Sequence, residues 1–96
     1  ALVAGLRGGT SDHLLYETDD VAVDLSLRVV DQDVHAQGQV DADDRPRAVR
    51  VMHDGDLLHT LDLDMDGRFA FQVESGTYTL VVDFESISVE IGPLQT

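Results

Sequence analysis

Apolar and polar residues alternate along most of this chain with a period of two. The clearest run is residues 21–29. Val21, Val23, Leu25, Leu27 and Val29 point one way, and Ala22, Asp24, Ser26 and Arg28 point the other. Successive side chains of a strand face opposite sides, so this run predicts a strand with one buried face. The stretch 62–84 carries the pattern twice more. Phe69, Phe71 and Val73 alternate between turns at Asp66-Gly67 and Ser75-Gly76, and Tyr78, Leu80, Val82 and Phe84 alternate after them. Residues 34–40 repeat it more weakly, with Val34, Ala36, Gly38 and Val40 inward. A glycine inside a strand predicts a bulge or a close backbone approach. Residues 48–53 and 57–63 flank His53-Asp54-Gly55-Asp56, and Asp-Gly between apolar runs is a strong hairpin signal. The register of that hairpin stays open. A connection one residue longer puts Val49 and Val51 on the face of Leu57, Leu61 and Leu63, which a core prefers. Residues 13–18 and 86–91 complete the set, the last with Ile87, Val89 and Ile91 inward.

Seven or eight strands at this spacing, with no helical period, predict an all-β, Ig-like antiparallel β-sandwich. Residues 1–12 hold three glycines and no sustained period, so they read as an N-terminal arm that adds a strand to a neighbour or to its own edge. Residues 13–96 read as one sandwich domain. The clearest loop is 41–46, which is polar, charged and closed by Pro46.

Composition narrows the function classes. The chain has 96 residues, no cysteine and a formal net charge of −13. Disulfides and thiolate metal sites are therefore excluded. All six basic residues are arginine. Repulsion at this charge density argues against nucleic acid or an anionic membrane as partner. GC-rich coding, a high-salt cytoplasm and cation binding each account for such acidity. No apolar run reaches the roughly 20 residues that span a bilayer, and the opening residues do not read as a signal peptide. The expectation is no membrane insertion; the compartment stays open, with a cytoplasmic setting favoured because no signal or spanning segment is visible.

The run Asp66-Gly67-Arg68-Phe69-Ala70-Phe71, followed by Ser75-Gly76-Thr77-Tyr78-Thr79-Leu80, resembles the D-G-x-F-x-F and G-x-Y-x-L strands of carboxypeptidase-regulatory-like domains. Those belong with transthyretin-like and Cna B-type sandwiches. Gln37-Gly38-Gln39-Val40 with Ala48-Val49-Arg50-Val51 is similar to the opening G-x-V…V-x-V segment, so the resemblance spans roughly residues 36–91. It implies a transthyretin-like scaffold serving as an accessory or adhesion module. The Lys–Asn isopeptide bond of some Cna B-type members is excluded, because this chain has neither residue. Leu6-Arg7-Gly8-Gly9, His13-Leu14-Leu15-Tyr16-Glu17-Thr18 and Val23-Asp24-Leu25 also resemble small accessory proteins of bacterial sigma and anti-sigma factor systems.

Two candidate sites emerge. Asp62, Asp64 and Asp66, before Gly67, form the D-x-D-x-D-G half of an EF-hand calcium loop. The closing glutamate position holds Val73, with Glu74 one residue late, and the flanks are strands rather than helices. The plain alternative is a strand's solvent face running into a hairpin turn. Arg45, Arg47 and Arg50 form a local basic patch, read either as pairing with Asp41, Asp43 and Asp44 or as a docking contact for an acidic partner. Asp54, in the other prominent loop, joins them as a partner-binding candidate. His53 and His59 with Asp54 and Asp56 read as surface imidazoles or as a transition-metal site, though tight His spacing is missing. Ser11, Ser26, Ser75, Ser86 and Ser88 lie in no nucleophile elbow, and no phosphate loop is present. The leading expectation is a non-catalytic protein-interaction module that needs no cofactor. The alternative is a calcium- or salt-stabilised extracellular adhesion module.

Overall fold

The computed structural model describes the backbone of Leu2–Gly9 and all of residues 12–96. Among these, nine strands form and no helix does: β1 (Leu2–Gly9), β2 (His13–Glu17), β3 (Val21–Val30), β4 (Asp33–Ala42), β5 (Ala48–His53), β6 (Asp56–Leu61), β7 (Arg68–Glu74), β8 (Thr77–Asp83) and β9 (Ser88–Gln95). They are hydrogen-bonded in the continuous order β6-β5-β8-β9-β1-β2-β3-β4-β7, which divides into two sheets at β1. Strand β1 belongs to both. Leu2–Ala4 pair in parallel with β9, and the stretch from Gly5 to Gly9 pairs antiparallel with β2. Every other pairing is antiparallel.

The eight strands expected from alternation all form, and a ninth joins them. The extra one comes from the segment read as an arm, whose glycine-rich sequence carries no alternation. Its place is set by the open edges of β9 and β2, which offer backbone hydrogen bonds whatever the side chains are.

The core lies between the sheets. Val23, Leu25, Val34, Ala36 and Phe69 face it from one side, and Val49, Val51, Leu80, Val82, Val89 and Ile91 face it from the other. Each fully buried aliphatic side chain contributes about 1.5–3 kcal/mol. Among the described residues no polar or charged side chain is buried. Gly38 sits opposite Phe69 across the β4–β7 pair, and a Cβ on it would lie 2.3 Å from the Phe69 ring. The expected close approach is thus an aromatic ring laid over the glycine.

Three residues expected inward are exposed. Val29 is 66% exposed because the β3–β4 hairpin runs past the end of the core. Leu57 is 54% exposed because the β5–β6 register shifts between Val51 and Met52. The shift pairs Val51 with His59 and Met52 with Leu57, leaving Leu58 as the extra residue and turning Leu57 to the outer face. The hairpin turn itself is tight. Asp54 and Gly55 both take positive φ, 51° and 83°, between paired His53 and Asp56, as a two-residue primed turn requires. Ile87, placed in a strand by its alternation, falls in the β8–β9 loop and is also exposed. Strand β9 instead runs on to Gln95 through an irregularity at the cis Gly92–Pro93 bond, which brings Leu94 back inward opposite Tyr78.

Candidate functional site

The β2–β3, β4–β5, β6–β7 and β8–β9 connections gather at one end of the molecule. Asp20, Asp43, Asp44, Phe84 and Ile87 line one hollow there. A second groove at this end runs between Asp44, Arg45, Arg47, Asp62, Leu63 and Glu85. Residues 43–47 are irregular because Pro46 cannot donate to a ladder. The segment is anchored at its close, where the Arg47 amide donates to the Asp83 carbonyl at 2.7 Å.

The three arginines separate by role. Arg45 is exposed and has no ion-pair partner among the described residues. Arg47 meets Glu85 at 3.6 Å with both side chains largely exposed, a contact worth at most about 1 kcal/mol. Arg50 lies on the outer face of its sheet, and its guanidinium is occupied. Nε donates to Asp83 Oδ2 at 2.7 Å and an Nη donates to Oδ1 at 2.8 Å. Ser88 Oγ also donates to Asp83 Oδ1, at 2.6 Å. The Arg50 hydrogen bonds, helped by Ser88, hold the Asp83 carboxyl below the usual aspartate range against the opposing effect of burial. None of the three arginines pairs with Asp41, Asp43 or Asp44, the partners expected from sequence proximity. Strand β5 carries Arg50 away from that loop, while Arg45 and Arg47 stay in it beside Asp44 without pairing to it.

Asp54 lies at the other end of β5, in the turn to β6. Its carboxylate is 3.3 Å from His53 Nε2, while His53 Nδ1 is 2.9 Å from the Thr77 carbonyl. The His53 ring packs on Tyr78 with centroids 4.9 Å apart. The six residues of β5 span about 20 Å, so Asp54 shares no surface with Arg45 and Arg47. His59 is exposed on β6 opposite Val51 and does not converge with His53. A second histidine contact joins His13 Nε2 to Asp24 on the outer face of the other sheet.

The aspartate run builds a turn. Asp64 Oδ1 accepts from the backbone amides of Asp66 and Arg68, each at 2.9 Å. The Asp64 amide donates to the Arg68 carbonyl, and the Gly67 amide donates to the Asp64 carbonyl. The Arg68 amide, followed by that of Asp66, holds the Asp64 carboxyl below its ordinary value. The Gly67 carbonyl accepts from the Val40 amide at 2.8 Å, which docks the turn on β4. Asp62 faces solvent beside the Arg45–Arg47 groove. Among the described residues no group of three or more histidine or carboxylate side chains converges as a metal site would.

Sequence reasoning missed Asp83 and Ser88. Asp83 lies between inward Val82 and Phe84, and that outward position marks it only as a surface group. Met65, 92% exposed in the β6–β7 turn, was missed as well. Ser11 lies outside the described residues. No helix is long and apolar enough to cross a membrane among the described residues. Comparison with protein-family models, curated proteins and solved structures returns no match for this chain.

Proposed function

We propose that this chain is a non-catalytic protein-interaction module, an accessory β-sandwich of the Ig-like, transthyretin-like kind, which takes its partner at the loop end. One observation carries the reading. Arg45 and Arg47 stand exposed on an irregular segment held between two sheets, on a surface otherwise dominated by carboxylates. Loops on a rigid sheet scaffold are a common place for recognition. An arginine fork that is free, or held only by a weak exposed pair, matches a carboxylate of an acidic partner segment. Met65 and Ile87 add exposed apolar side chains at the same end.

The test compares wild type with the Arg45→Ala/Arg47→Ala variant as immobilised baits, with retained proteins identified by mass spectrometry. The expected result is a protein kept by wild type and lost by the variant. Stability should change by no more than about 1 kcal/mol, because both side chains are exposed and only the weak Arg47–Glu85 pair is lost. Equal retention by the two baits would remove the loop end as the docking surface.

A further inference from the structure

We propose that the free edge of β6 accepts an extended, basic segment of a partner protein as an added strand. This rests on the reading of the chain as an interaction module but uses a different surface. The two sheets are joined at one side through β1, so the exposed edges are those of β6 and β7. The β7 edge keeps Phe69 and Val73 buried and carries Arg68 and Glu74 at its ends. In contrast, β6 is exposed at every position except Leu61, which is half-buried. It presents Leu57 at 54% and Leu58 at 45% exposure, and its only charged or titratable groups are Asp56 at its start and His59.

Natural edges are usually guarded by charge, proline or cover, because unpaired backbone groups recruit another strand. Between Leu57 and Leu61 this edge has neither lysine nor proline, and its one guard is the register shift near Leu58. Main-chain pairing supplies affinity in such additions, and alternate side chains supply specificity.

Charge chooses the occupant. Asp54 and Asp56 stand at one end of β6 and Asp62 and Asp64 beyond the other, with all four exposed. A second copy would bring two such acidic edges together on chains of net charge −13 each. A partner strand that alternates apolar and basic residues sets apolar side chains beside outward-facing Leu57, and its positive charge is drawn by the aspartates at the two ends of β6.

The experiment titrates isotopically labelled full chain with a short synthetic peptide alternating valine and lysine, at physiological ionic strength. A valine–glutamate peptide and a proline-interrupted valine–lysine peptide serve as controls. The expected result is slowing of amide exchange at residues 57–61 by about tenfold or more with the first peptide alone. The Leu57→Lys/Leu58→Lys variant should lose this effect, and Arg45→Ala/Arg47→Ala should keep it, so failure here is distinct from failure of the loop-end reading. Equal binding of the proline-interrupted peptide would reduce the effect to charge attraction and overturn the proposal. Shifts confined to the acidic loops, with the β6 amides unchanged, would do the same. So would protection of those amides that grows with protein concentration in the absence of peptide, which would assign the edge to a second copy.

Discussion

Gly67 shows how much one position constrains this chain. Its φ is +78°, and a Cβ there would lie 2.5 Å from the Val40 carbonyl oxygen. An alanine would meet both the left-handed backbone cost of about 1–2 kcal/mol and a clash with a backbone atom of β4, which cannot rotate away. Gly55 has a similar φ of +83° but nothing within 4 Å of its added Cβ. Gly55→Ala should therefore cost only about 1–2 kcal/mol. Gly67→Ala should cost roughly 3 kcal/mol or more, since a steric misfit adds to the strain. Urea unfolding midpoints of the two variants would check the order, and equal losses would refute the close packing of the turn on β4. The aspartate before this turn is also explained locally. Asp64 gives its Oδ1 to two backbone amides, so one of the three carboxylates in the calcium-loop-like run 62–67 has a role in turn formation.

At the scale of elements, the half-buried Arg50–Asp83–Ser88 cluster fastens β5, β8 and β9 across their outer face. Asp83 sits opposite both Ala48 and Ser88, so Arg50 reaches it diagonally. The folded-state pKa of Asp83 is depressed, chiefly by its hydrogen bonds from Arg50. Its stabilisation is therefore fully present above the unfolded-state value of about 4 and is lost as pH falls through the lower folded-state value. Asp83→Asn should cost about 1 kcal/mol at neutral pH, because the pair is partly solvated. The difference in Tm between wild type and variant should close as pH falls below about 4. A gap that is unchanged with pH would mean that shape rather than charge fastens these strands.

For the whole molecule, net charge dominates. A chain at −13 carries strong self-repulsion in its compact state. Sodium chloride should raise Tm, and calcium and magnesium chlorides at matched ionic strength should raise it similarly, by screening alone. For a domain of this size about 1 kcal/mol corresponds to a shift of about 4–8 °C, which calorimetry resolves easily. A rise with low-millimolar calcium that magnesium and sodium do not match would instead place an ion at Asp62, Asp64 and Asp66.

The sequence by itself determined the all-β class and eight of the strands, because half-buried strands must alternate and Asp-Gly turns must interrupt them. It also pointed to the burial of Gly38 and the inward set of β4 and β8. It read residues 1–12 as an arm that adds a strand but left its place open, since pairing at an edge is a backbone matter that Gly-rich side chains do not advertise. Tertiary structure alone decided which alternating residues are covered. Val29, Leu57 and Ile87 obey the period yet face solvent, because a hairpin overruns the core, a bulge turns the face and a loop replaces the strand. The candidate site divided for the same reason. Arg45, Arg47, Arg50 and Asp54 lie within ten positions of one another, but an extended strand sends Asp54 to the far end and gives Arg50 to Asp83.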